Sequence, residues 1–238
     1  MGLYGARQGR SQLDAYLTKH YNYTLNPRRK RIYPEVKPMI KRTRRVADLR
    51  RSILPFSNEE TQLVAQKLLE KTRDEALSAS LQFSPTAISG IRQLAQKGGE
   101  IVCDTQVLAN LVKGMLPKEL PLEVRCYIDD KEVLLRADAM RTTRAEVAVD
   151  LALESEGGKL FMIGSAPAAL SRIMQHRKRR PLTGVGVLTS LNGFSNAVSL
   201  KERLRESDMP FILTRGKNGG VNAACDILGC ILETIREK

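Results

Sequence analysis

Leu213-Thr214-Arg215-Gly216-Lys217-Asn218-Gly219-Gly220-Val221-Asn222 sets two cations and three glycines at the junction between a short apolar run and a long amphipathic one. The run before it, Pro210-Phe211-Ile212-Leu213, reads as a buried strand. The run after it repeats Ala224, Ile227, Leu228, Ile231, Leu232 and Ile235 at helical spacing. Together they form the last β-turn-α unit of an α/β chain. A glycine-rich turn beside Arg215 and Lys217 presents backbone N–H groups to an anion, so a phosphate or carboxylate ligand is expected there. Glycines also serve a tight turn that binds nothing, and short Gly-rich motifs match often, so the company of this one matters.

Upstream, the same alternation recurs. Pro34 to Asp48 reads as a helix, and Ser57-Asn58-Glu59-Glu60 as a capping box that opens another through Val64, Leu68 and Leu69, with a break near Glu70 to Asp74. Ser84-Pro85 opens a third helix that ends at Gly98-Gly99. There follow the strand Ile101-Val102-Cys103 with a helix opened by Asp104, the strand Leu122 to Ile128 with a helix opened by Asp129, and the helix Ala145 to Leu153. The strand Leu160 to Ile163, the helix Ala166 to Met174, the strand Gly184 to Leu188 and the helix Phe194 to Leu204 complete the series. Such alternation predicts a mainly parallel sheet sandwiched between helices.

Ligands of parallel sheets collect at the carboxyl ends of the strands. The polar and glycine-rich motifs all fall there: Asp104-Thr105, Gly164-Ser165, Asn192-Gly193 and Arg215 to Gly220, with Thr143-Arg144 in a nearby connection. Each alone is explained by a cap or a turn. Their joint placement predicts one shared cleft.

The 238 residues, 42% hydrophobic, suit one α/β domain of about 190 residues with an extension. No apolar run approaches the roughly 18 residues of a membrane span and no signal peptide opens the chain, so a soluble, cytoplasmic protein is expected. Cys103, Cys126, Cys225 and Cys230 have no paired spacing, and only His20 and His176 could join them, which argues against zinc and disulfide scaffolds. The net charge of +13 is uneven: residues 1–51 hold 14 Lys or Arg against Asp14, Glu35 and Asp48, a net +11, leaving about +2 for the rest. Five of the six tyrosines (Tyr4, Tyr16, Tyr21, Tyr23, Tyr33) lie in the same region. Cations interleaved with aromatics suit nucleic acid, but no recognised binding module accompanies them, and a solvated basic extension over residues 1–33 is the preferred reading. Residues 34–238 form the α/β domain.

In their order the motifs resemble the precorrin-8X methylmutase family, the precorrin isomerases of cobalamin biosynthesis. The matching pieces are Phe83-Ser84-Pro85, Ile101 to Thr105, Val124 to Asp130, Thr143-Arg144, Ile163 to Leu170, Asn192-Gly193-Phe194 and Arg215 to Gly220, from about residue 60 to the C terminus. The resemblance implies a homodimeric α/β fold whose cleft holds a tetrapyrrole polycarboxylate. It also implies an intramolecular methyl shift assisted by protonation of the macrocycle, with neither metal nor organic cofactor. On this reading Asp104, Thr105, Thr143, Arg144, Gly164, Ser165, Gly193, Arg215, Lys217, Gly219 and Gly220 line the substrate site. Arg144 and Arg215 would clamp carboxylates, Lys217 would act as a point charge, and Thr105 and Thr143 would donate hydroxyl hydrogen bonds.

The family pattern implies a catalytic histidine in the segment Lys67 to Thr72, and alignment from Phe83-Ser84-Pro85 puts Glu70 there. Ala145 and Val221 stand where the family tends to have serine, Ser165 for asparagine, Leu191 for proline and Ser199 for glutamate. A glutamate serves as general acid only where burial holds it protonated, and Lys71 and Arg73 beside Glu70 oppose that. The first expectation is therefore a methylmutase with Glu70 or ordered water in the histidine's role. The alternative is a non-catalytic or repurposed paralogue that binds a tetrapyrrole or another polyanion.

Overall fold

The computed structural model describes residues 58–193 and 195–237. The basic extension, the helix expected over Pro34 to Asp48, and Phe194 lie outside the described residues.

The first described helix, α1 (Glu59–Thr72), is capped by Asn58, whose side chain accepts from the Thr61 N–H at 2.9 Å while the Thr61 hydroxyl closes a reciprocal box. The expected box at Ser57 is thus shifted by one residue. The break falls at Arg73, left-handed at φ 57°, before Asp74 caps the short helix α2 (Glu75–Ala79). Strand β1 (Leu81–Phe83) follows, and Thr86 precedes α3 (Ala87–Lys97). Ser84 is not the cap expected of it; its hydroxyl accepts from the Phe211 N–H at 2.8 Å and ties β1 to the opposite strand.

Five further strand-helix passages complete the domain, the first two being β2 (Gly99–Cys103) with α4 (Gln106–Met115), and β3 (Leu122–Arg125) with α5 (Lys131–Met140) and α6 (Arg144–Ala152). Next come β4 (Lys159–Ile163) with α7 (Pro167–Arg179), and β5 (Val185–Thr189) with α8 (Ser195–Arg205). The chain closes with β6 (Phe211–Thr214) and α9 (Val221–Arg236). Strand β3 ends three residues earlier than the apolar pattern predicts, and Asp130, not Asp129, occupies the N-cap position of α5.

The sheet order is β1-β6-β5-β4-β2-β3. All pairs are parallel except β1 with β6, where Leu81 faces Thr214 and Phe83 faces Ile212. Period-two alternation sorts the strand side chains into two cores. Ile101, Leu160, Met162, Leu188 and Ile212 pack under α1, α3, α4 and α9, whereas Val102, Phe161, Ile163, Val187 and Leu213 pack under α5 to α8. Helices on both faces leave strand ends as the place for chemistry. No helix among the described residues is long and apolar enough to cross a membrane.

Candidate functional site

The order of the strands identifies the point where ligands collect. From β2 the chain passes through α4 to β3 at one edge, while from β4 it passes through α7 toward β5 and β6 at the other. The connections therefore diverge at the carboxyl ends of β2 and β4, the topological switch point of the sheet.

Asp104 stands at that point, 7% exposed. Its Oδ2 accepts the N–H groups of Gly164, Ser165 and Ala166 at 3.0, 2.7 and 2.7 Å, so the carboxylate sits on the positive end of α7. Burial pushes its carboxyl upward in pKa, against the pull of those three donors and the Thr105 hydroxyl. Expected as the opening residue of its own helix, Asp104 instead caps one 60 residues ahead, and Thr105 caps α4 by accepting from the Leu108 N–H at 3.3 Å. Gly164 and Ser165, expected to line the substrate site, thus donate their amides to an internal carboxylate.

Neighbouring loops join in sheet order. A side-chain carbon on Gly164 would lie 3.0 Å from the Val221 Cα, so glycine is what lets the β4 loop pack on the start of α9. Ser190, after β5, accepts from the Gly220 N–H at 2.5 Å and donates its hydroxyl to the Gly220 carbonyl at 2.7 Å. Gly219, at φ 144°, lies against the same Ser190 carbonyl, which a Cβ there would meet at 1.9 Å. The Thr214 hydroxyl closes the Arg215–Gly220 turn onto the Asn218 carbonyl at 2.7 Å.

The cations stand at the outer side of this assembly. Arg215 and Lys217 are exposed, and the backbone of their loop is held by Arg215 N–H to the Ser80 carbonyl at 2.8 Å and by Asn218 Nδ2 to the Ala76 carbonyl at 3.2 Å. On the β3 side, Arg144 is exposed and faces Asp129 at 3.4 Å. Thr143 caps α6, and its hydroxyl donates to Glu146 at 2.7 Å, so that group is committed to the helix. Glu70, near the end of α1, is exposed. The adjacent Lys71 reaches Asp226 in α9 at 3.0 Å, which holds this end of α1 beside the rim. His176 is far along α7, its Nε2 2.5 Å from Asp150, which also takes a bidentate pair from Arg172 at 2.7 Å.

Among the described residues these motifs do not enclose the shared cleft expected of them. Asn192, Gly193, Arg215, Gly216, Lys217 and Asn218 are exposed and make an open shelf, and the crevice beside Asp104 holds only about 10 Å³. A groove of about 500 Å³ lies elsewhere, between α3 and the amino ends of β4, β5 and β6. Its lining is mainly apolar with glycine backbone, it contains none of the rim motifs, and the amino ends of parallel strands are not where such sheets place ligands. The rim, with its cations and fixed loops, is the better site.

Fold and rim together define a helix-covered, mainly parallel α/β domain with exposed cations at the carboxyl edge of its sheet. Residues 40–234 match the sequence profile of precorrin-8X methylmutase, and the chain belongs to that family. It is 31% identical over 196 residues to the cobalt-precorrin-8 methylmutase of Salmonella typhimurium, covering 81% of this chain and 91% of the relative. It is 30% identical over 178 residues to the precorrin-8X methylmutase of a Sinorhizobium species, covering 73% and 81%. The solved precorrin-8x methyl mutase of Thermus thermophilus superposes with a TM-score of 0.68 at 26% identity, covering 81% of this chain and 93% of that one.

Proposed function

We propose that this chain is an isomerase of cobalamin biosynthesis that moves a methyl group between adjacent ring carbons of precorrin-8X or its cobalt-containing counterpart. In such a shift one C–CH3 bond breaks as another forms, and substrate and product have the same composition. The protein's part is to bind a polycarboxylate macrocycle, orient it, and bias its protonation. The observation that carries the reading is the rim. Loops after β2, β4, β5 and β6 are bonded into one ledge, and Arg215 and Lys217 project from it where carboxylates could be gripped in bidentate or point-charge fashion.

Because the ledge is open among the described residues, the proposal includes a second copy that completes the enclosure. Val107, Leu111, Leu134, Leu135 and Met140 support it: these large apolar residues are exposed, Leu135 by 73%, and all lie on α4 and α5, the helices before and after edge strand β3.

Glu70 favours a second reading. It occupies the place of the histidine implied by the family pattern, and in this chain alone it lacks the enclosure a general acid would need. A protein that binds the macrocycle without turning it over would have these features. Incubation with precorrin-8X, followed by absorbance, separates the two. Conversion to the isomeric product supports the enzyme; tight binding with an unchanged spectrum supports the carrier, and absence of both refutes the ligand assignment.

A further inference from the structure

Lys201, in α8, is 1% exposed. Its Nζ donates to the Leu191 carbonyl at 2.7 Å and to the Gly216 carbonyl at 2.8 Å, and so bridges the loops that follow β5 and β6. Both partners are neutral. The nearest acid in sequence, Glu202, pairs with Arg205 at 2.7 Å. An ammonium buried among carbonyls without a carboxylate is costly, and methionine would fill the same volume, so packing alone does not account for a lysine here.

Peptide planarity shows what the bridge achieves. In a trans unit the C=O and the following N–H point in opposite directions, and no described bond is cis. Drawing the Leu191 carbonyl to the ammonium therefore turns the Asn192 N–H away from it. Drawing in the Gly216 carbonyl, with Gly216 at φ 62°, does the same to the Lys217 N–H. Asn192 and Lys217 are both exposed, and neither N–H has an acceptor among the described residues. The Ser190–Gly220 pair of hydrogen bonds keeps the two loops in register.

We propose that Lys201 is a positioning residue, which turns the Asn192 and Lys217 amides away from its ammonium and leaves each of them to donate to a carboxylate of the ligand. The inference rests on the rim being the tetrapyrrole site. It is tested with 15N-labelled full-length protein and two probes, hydrogenobyrinate and its fully esterified form. The Asn192 and Lys217 amide resonances should move with the free acid and stay still with the ester. Lys201→Met should weaken binding of the free acid on the order of tenfold, the effect of one lost charged hydrogen bond, and leave binding of the ester unchanged. If other rim amides respond to the acid while Asn192 and Lys217 do not, the assignment is wrong, whether or not the variant folds. A folded Lys201→Met that binds the acid with wild-type affinity overturns it equally. Failure of the wild type to bind either probe would instead refute the ligand site itself and take this proposal with it.

Discussion

Removing the Asp104 carboxylate should loosen the rim at its centre. In Asp104→Ala, three N–H groups at the start of α7 lose their acceptor: the Gly164 amide, which is buried, and the Ser165 and Ala166 amides, which are partly so. A hydrogen bond to a charged group contributes about 1.5–3 kcal/mol net. The three share one oxygen and do not add, and favourable placement on the helix dipole contributes about 0.5–1 kcal/mol more. Set against these is the cost of keeping a carboxylate buried, visible in the upward push on its pKa. The balance is a loss of about 3–4 kcal/mol, a large part of the roughly 5–15 kcal/mol that holds a domain together. Asp104→Asn keeps the shape and one acceptor but not the charge, so about half the loss is expected. Urea unfolding followed by circular dichroism measures both, with an unchanged slope in denaturant showing that stability alone has moved. A loss below about 1 kcal/mol for Asp104→Ala would mean that water replaces the carboxylate freely and that it does not hold the rim.

Glu70→His should raise turnover of precorrin-8X by about 10²–10⁴-fold, the usual contribution of a general acid; unchanged turnover with retained binding would count against the alignment that places Glu70 there. Gly219→Ala forces a Cβ onto the Ser190 carbonyl and should destabilise the chain by about 2 kcal/mol or more while abolishing corrinoid binding, read by thermal melting and absorbance titration. Arg144→Ala should weaken binding of the polycarboxylate by about 1–3 kcal/mol in titration, and equal affinity would remove Arg144 from the site. Burial pulls the Lys201 amine down from 10.5 to about 8, so the folded state holds that proton less tightly than the unfolded one. The resulting penalty is present below pH 8 and is relieved as pH rises toward 10.5, by up to about 3 kcal/mol. Wild type should therefore gain stability relative to Lys201→Met across that window in paired unfolding curves, and a pH-independent difference would show that the amine is not buried as a cation.

The fold was legible because each strand-helix unit carries its own signal. Apolar runs such as Leu160–Ile163 and Ile212-Leu213 belong to strands covered on both faces, and the stripe from Ala224 to Ile235 belongs to α9, which is buried along one side. Strand β1 was not legible: three residues are too few for a period, and Leu81-Gln82-Phe83 is a strand only because β6 lies beside it. Motif placement at the strand ends followed from the same alternation, but the use made of each residue did not. Asp104 and Thr105 both have cap chemistry, and only the pairing of β2 with β4 brings the Gly164–Ala166 amides within reach of the first of them.

Lys201 carries a signal that hydropathy hides. Ala197, Leu200, Lys201 and Leu204 fall at helical spacing, so the lysine occupies the inward stripe of α8, where a charge reads as an interruption. A cation on such a stripe requires acceptors from elsewhere, and here they are main-chain carbonyls of two loops, groups that every residue possesses and no sequence motif marks. The same logic explains why the rim was expected as a cleft and is found as a shelf. Strand order brings the motif-bearing loops together along one edge, but walls above that edge must come from chain outside the sheet. Among the described residues, the exposed apolar side chains of α4 and α5 lie on the two helices that flank edge strand β3 in the chain, and hydropathy alone does not say what such a surface covers.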